Sequence, residues 1–139
     1  MIVLDSNVIS EFMRDAPDPK VVLWLDSQPR SSIWTTSINV FEIRSGVLAM
    51  PTERRQRSFL LAFEHLLNEK IQGRIAAFDL AAAEQAAELE AAGQKKGRPR
   101  EPRDTMIAGI VLASHATLAT RNVRHFEDIA KSVVNPWEA

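Results

Sequence analysis

Cysteine is absent from the chain. With it go disulfides, thiol nucleophiles, iron–sulfur clusters and every zinc site that needs a thiolate. Tyrosine is absent too, and six phenylalanines without it do not make the exposed stacking ladder of a single-strand binder. Nor does one sign of charge dominate. Lys and Arg number 17 against 18 Asp and Glu, a formal net charge of −1. Bulk electrostatic attraction to nucleic acid is thereby excluded, and a polyanion partner would need a local basic patch. No apolar run approaches the ~20 residues that cross a bilayer. The opening MIVLDSN has neither the basic nor the apolar segment of a signal peptide. His65, His115 and His125 share no HExxH spacing and form no triad-like motif, so they are expected to be surface or boundary residues. What remains is a soluble protein, expected in the cytoplasm.

The 139 residues are the length of one ordinary domain, and an apolar content of 45% is enough for a real core. A single domain over 1–139 is therefore expected. Ile2-Val3-Leu4 is an apolar run that reads as a buried strand ending at Asp5, followed by helical spacing from Ser6 to about Met13. Asp18-Pro19 is a capped helix start leading into Val21, Val22, Trp24 and Leu25. Ser32 to Thr35 reads as a second strand, and Ser37 is placed to cap the helix after it. Thr52 to Lys70 is the clearest amphipathic helix, with Phe59, Leu60, Phe63, Leu66 and Leu67 on one stripe. Trp24, Trp34 and that stripe are expected to serve as core or subunit contacts.

Arg74 to Phe78 reads as a third strand, and Asp79 caps an alanine-rich helix through about Ala92. Gln94 to Arg103 is a polar loop, and a helix follows from about Asp104 to His115. Thr117 to Thr120 is a fourth strand, and Val133-Val134 suits a fifth. Strands alternating with helices imply an α/β fold: a central parallel sheet of four to five strands with helices on both faces.

In such sheets ligands sit beyond the carboxyl ends of the strands. Asp5 closes the first strand, Glu42 lies in the first turns after the second, and Asp104 opens the helix before the fourth. Thr120, Arg121 and Asn122 end the fourth strand. Singly, each acid has an ordinary explanation as a cap or a solvated helix position. Together, convergent carboxylates repel one another and resist desolvation unless a cation compensates. Oxygen-only ligands favour a hard cation, Mg²⁺ or Mn²⁺, and such an ion keeps waters suited to phosphodiester hydrolysis. The adjoining QKKGRPREPR segment carries Lys95, Lys96, Arg98, Arg100 and Arg103 against Glu101. Lys95, Lys96 and Arg98, with Arg121 beyond the fourth strand, are candidate contacts to an RNA backbone; a solvated loop is the other reading.

The segments LDSNVISEF, TSINVFEIRSGV and PRDTMIAGIVLASHATLATRNVRHFEDI, with the closing N-P-W, resemble in order and spacing the PIN domain. The resemblance spans nearly the whole chain and is strongest to the VapC/FitB toxins of type II toxin–antitoxin systems. It implies a PIN-like three-layer α/β/α fold and a Mg²⁺- or Mn²⁺-dependent endoribonuclease. It also implies a homodimer or toxin–antitoxin hetero-oligomer, inhibited by a small cognate antitoxin that binds DNA. Asp5 and Asp104 match the family's metal-binding aspartates and Glu42 its helix glutamate. Ser6 stands where the family usually has Thr, and Asn7 matches the polar residue after it. Asn122 lies where many members carry a fourth acid. An amide brings no charge, so one well-occupied metal site is expected rather than two, with Thr120 and Asn122 orienting water or a phosphate oxygen.

Two other functions compete. One is a catalytically weak PIN-fold binding protein acting through an antitoxin complex on DNA or RNA, for which Asn122 is the motive. The other is an acyl-phosphate phosphatase using Asp5, which requires a second aspartate where Asn7 stands.

Overall fold

The computed structural model describes residues 1–139. The chain forms β1 (Ile2–Leu4), α1 (Ser6–Phe12), α2 (Pro19–Asp26), β2 (Ile33–Thr36), α3 (Ser37–Leu48) and α4 (Glu53–Leu66). It continues with β3 (Ile75–Ala76), α5 (Leu80–Lys95), α6 (Pro102–Ala113), β4 (Thr117–Ala119) and β5 (Val133–Val134). A π turn at Leu67–Ile71 ends α4, and a kinked 3-10 stretch, Val123–Ser132, joins β4 to β5. No helix is long and apolar enough to cross a membrane.

All strand pairs are parallel, and the sheet order is β3-β2-β1-β4-β5. Successive strands run outward from β1 to β3. Then α5 and α6 carry the chain back to β4 on the other side of β1. The winding therefore reverses between β1 and β4, the point at which sheets of this kind bind ligands beyond the strand ends. Leu4 pairs with Ala119, and the N–H of Asp5 donates to Ala119 O at 3.0 Å. Asp5 and Thr120 are thus the first residues past the sheet at that reversal.

The alternation of side chains along a strand explains the two cores. Leu4 and Ala119 pack with Val8, Val21, Ile43 and Phe63 on one face; Val3 and Leu118 pack with Ile107, Val111 and Phe126 on the other. Trp24 and Trp34 are half-buried against these clusters, and the α4 stripe closes the first of them through Phe63 and Leu66. The alanine bias of α5 serves close approach. A Cβ at Gly109 of α6 would lie 2.4 Å from Ala82 O and 2.8 Å from Ala86 Cβ, so the two helices touch backbone to backbone there.

The element boundaries depart from the sequence expectation in ways with local causes. Thr36, not Ser37, caps α3, because its Oγ1 accepts the Asn39 N–H at 3.1 Å. Glu101 caps α6 and Pro102 takes its first position, which sets Asp104 third in the helix, within its first turn, rather than at the start. Good helix formers carry α5 on to Lys95, and only Ile75–Ala76 of the third strand finds a partner.

Candidate active site

Asp5 caps α1, and its carboxylate is almost wholly enclosed in donors. Oδ1 accepts from Ser6 N and from Asn39 Nδ2, both at 2.9 Å; Oδ2 accepts from Thr120 Oγ1 at 2.7 Å and from Asn7 Nδ2 at 3.4 Å. A carboxylate 5% exposed is tolerable only with such partners. Ser6 carries the network to α3, donating from Oγ to Glu42 Oε1 at 2.9 Å while accepting from Asn39 Nδ2 at 3.0 Å. Asn39, fully buried, is the hub: its Oδ1 accepts from Thr36 Oγ1 at 2.6 Å. Asn7 closes the other side by donating to Thr120 Oγ1 and accepting the Arg121 N–H.

Asp104 enters from α6 and meets His125 of the 3-10 stretch, Nδ1 to Oδ2 at 2.9 Å. Burial holds the Glu42 carboxyl above its ordinary pKa against the Ser6 hydrogen bond, and Asp5 and Asp104 push it further in the same direction. Asp104 is likewise raised, first by burial, against the His125 hydrogen bond, and then by Glu101 and Asp5. Arg103, one residue before Asp104, lies 4.0 Å from Glu42 and over the Phe41 ring, and its charge opposes the rise at Glu42.

The three predicted acids are therefore brought together at the sheet's reversal, with Thr120 hydrogen-bonded to the first. Asn122 is exposed and contributes its backbone N–H to Thr120 Oγ1 at 3.1 Å. Lys96 and Arg98 line an open cleft of about 500 Å³ with Asp104, Arg124 and His125. Lys95 ends α5 just outside it, and the Arg121 guanidinium lies 4.8 Å over the Trp137 ring. His65, His115 and His125 are all exposed, as expected; His125 in addition contacts an acid of the site, which its spacing did not signal. Asn39 escaped the sequence reading altogether. A buried amide one turn into a helix carries no local mark, and only its fold partner 34 residues away gives it a role.

All three acids offer oxygen, and two resist ionisation partly because of their neighbours. No three Asp, Glu or His side chains form a preformed set of direct ligands. By donor type the acids fit a hard divalent cation such as Mg²⁺, which is held through waters where direct ligands are few.

The raised pKa values make a prediction about stability. An acid whose folded pKa exceeds its unfolded value favours folding while protonated. Its contribution is therefore greatest at low pH and is lost as pH rises through the ordinary carboxylate range toward the raised values. Metal-free protein at pH 7.5 is expected to melt below the Glu42→Gln/Asp104→Asn double variant, by about 3 °C for each kcal/mol of strain. The gap should narrow as pH falls toward the ordinary carboxylate range, and Mg²⁺ should narrow it at neutral pH. Thermal scans giving the same gap at every pH and metal concentration would contradict the electrostatic account.

A doubly wound parallel sheet with convergent carboxylates at its reversal defines a class of small α/β domains built around an acidic pocket. Residues 2–132 match the PIN domain family, and the chain belongs to it. It is 39% identical to the plasmid stability protein StbB of Pseudomonas syringae pv. tomato, over 100% of both chains. It is 36% identical to the VapC ribonuclease Y4jK of Sinorhizobium fredii, over 99% of both. Among solved structures it resembles FitAcB of Neisseria gonorrhoeae, with a TM-score of 0.88, 32% identity and 100% of both chains covered. FitAB bound to an IR36 DNA fragment matches with a TM-score of 0.86 and 32% identity, over 99% of this chain and 96% of that one.

Proposed function

We propose that the chain acts as a single PIN domain, residues 1–139, and is the endoribonuclease toxin of a type II toxin–antitoxin system, hydrolysing RNA phosphodiester bonds in the cytoplasm. The convergence of Asp5, Glu42 and Asp104 at the sheet reversal carries this reading. The names of the relatives, a VapC ribonuclease and a FitB toxin, agree with it.

Asp5, Glu42 and Asp104 would hold Mg²⁺ or Mn²⁺, directly or through water. When bound, the ion supplies a water of lowered pKa and neutralises charge at the phosphate. The protein's own groups do the rest. Any acid of the three that does not ligate the ion directly would be the one to take a proton from water, and Glu42 Oε2, the oxygen that Ser6 leaves free, is placed for it. Asn122, exposed beside the site, is placed to orient the water or a phosphate oxygen. Thr120, expected to do the same, is a correction to that reading, since it is fully buried. Its hydroxyl is used up in donating to Asp5 and accepting from Asn7 and the Asn122 N–H, which makes it a positioning residue for Asp5. Lys95, Lys96 and Arg98, with Arg121 on the far side of Asp5, hold the RNA backbone by charge.

A small antitoxin that also binds DNA is the inferred partner, in a hetero-oligomer or with a toxin homodimer. Solved relatives that are themselves toxin–antitoxin complexes, one on DNA, support this. So does an apolar groove of about 340 Å³ that Met13, Ile43, Met50 and Phe59 line and that opens at Ser6 and Glu42.

The test is cleavage of total cellular RNA by antitoxin-free protein with Mg²⁺, Mn²⁺ or EDTA. Discrete metal-dependent fragments are expected. Folded, active-site-intact protein that leaves RNA whole would favour the second reading, a PIN-fold binding protein acting through an antitoxin complex. The lack of a preformed ligand set is the observation on that side.

A further inference from the structure

The three acids are not held alike. Asp5 receives four hydrogen bonds and Glu42 receives one from Ser6, itself fixed by Asn39. The Asp104 carboxylate has one side-chain partner, His125, and is repelled by Glu101 and Asp5. An ionised carboxylate only accepts, so His125 Nδ1 is the donor. The imidazole itself is 57% exposed, yet its backbone is fixed. Phe126, next in sequence, is fully buried, and the His125 N–H donates to Asn122 O at 3.1 Å.

A second tie holds the same segment. Arg100 has a charged side chain only 8% exposed. It ion-pairs through Nη1 with Asp128, three residues beyond His125, and donates from Nε to Thr105 Oγ1 at 3.1 Å. Thr105 is the neighbour of Asp104 on α6. The loop carrying Arg100 is itself folded onto α5, the Arg98 N–H donating to Gly93 O at 2.8 Å, where a Cβ on Gly93 would collide with Arg98 O at 2.7 Å. Arg100 is thus a strut between the stretch that carries His125 and the helix that carries Asp104.

The geometry points to His125 as the positioning residue of Asp104, kept in place by the Arg100–Asp128 strut, so that the third acid stays turned toward Asp5 and Glu42 for a hard divalent cation. Nothing in the spacing of His125 marks it as a ligand, and it acts here through Asp104 rather than on the ion. A partner that orients a ligating carboxylate typically changes metal affinity by 10–100-fold. The inference rests on the acidic cluster being a metal site.

Mn²⁺ binding to the antitoxin-free protein, measured by calorimetry without RNA, tests both. His125 is exposed, so its variants should fold, and unchanged melting confirms that they do. His125→Ala and His125→Gln are expected to weaken Mn²⁺ binding about tenfold. His125→Asn, whose amide nitrogen can stand near the Nδ1 position, should stay within about threefold of the wild type, the smaller part of such an effect. Asp128→Ala, which touches neither Asp104 nor the ion, should fall in between. Mn²⁺ binding by the wild type with no loss in His125→Ala, or equal loss in His125→Asn and His125→Ala, would overturn the positioning role alone. Wild-type affinity in Asp128→Ala would overturn the strut. No Mn²⁺ binding by the wild type would overturn the metal site and, with it, this inference.

Discussion

Asp5→Asn is expected to abolish RNA cleavage while the protein still folds. The substitution removes one of three negative charges at the proposed metal site and nothing of the side chain's volume. Electrostatic stabilisation of the transition state by a metal is worth several kcal/mol. At 1.36 kcal/mol per tenfold, its loss corresponds to about 10³-fold in rate. Folding should survive because the new amide can be accommodated. Its oxygen can take the Oδ1 position, where Ser6 N and Asn39 Nδ2 donate. Its NH₂ then faces Thr120 Oγ1, whose two acceptor sites already take Asn7 Nδ2 and the Asn122 N–H, so one of those bonds must be given up. With the 3.4 Å contact from Asn7 also turned donor against donor, some stability is lost, but the backbone and the Oδ1 side of the cap stay satisfied. The check is single-turnover cleavage beside circular dichroism and melting. A folded Asp5→Asn protein that cuts at more than a tenth of the wild-type rate would remove Asp5 from the mechanism.

Asn39→Ala should have the largest effect on stability, although Asn39 contacts neither ion nor substrate in the proposed mechanism. Its amide nitrogen serves Asp5 and Ser6, and its oxygen accepts from Thr36. Truncation strips a buried carboxylate of a charge-assisted hydrogen bond and leaves the Thr36 hydroxyl without its acceptor. Buried groups deprived of partners cost about 1–3 kcal/mol each, more when charged. A loss of about 3 kcal/mol is therefore expected, read as a lower urea midpoint with unchanged slope. Cleavage should fall as well, since Ser6 and Glu42 lose their anchor. A loss under about 0.5 kcal/mol, the range of surface substitutions, would show that the network is redundant at Asn39.

The contrast between these residues explains what was legible in the sequence. Asp5 is visible because it ends an apolar run, and strand ends are where α/β proteins place chemistry. Glu42 and Asp104 follow from the same reasoning and from the motif order. Asn39 and His125 have no such local signature. Their roles come from partners 34 and 21 residues away, and neither distance is a helical or strand period. The parallel sheet was legible from the alternation of elements; the order β3-β2-β1-β4-β5, which puts β1 beside β4, was not. Boundaries shifted where two residues could do one job. Thr36 and Ser37 are both good caps, and only the backbone at Thr36 is extended, which decides between them.

The pairing of β1 with β4 has a consequence for biosynthesis. Thr120, the hydrogen-bond donor to Asp5, is synthesised 115 residues after it. Domains fold as units, and contacts this far apart form late. The nascent chain therefore carries its acids unassembled until Thr120 has been made and has emerged. On the proposed function, an RNA-cleaving pocket is in this way left unformed through most of the synthesis of these residues, while they are tethered to the RNA machinery that makes them.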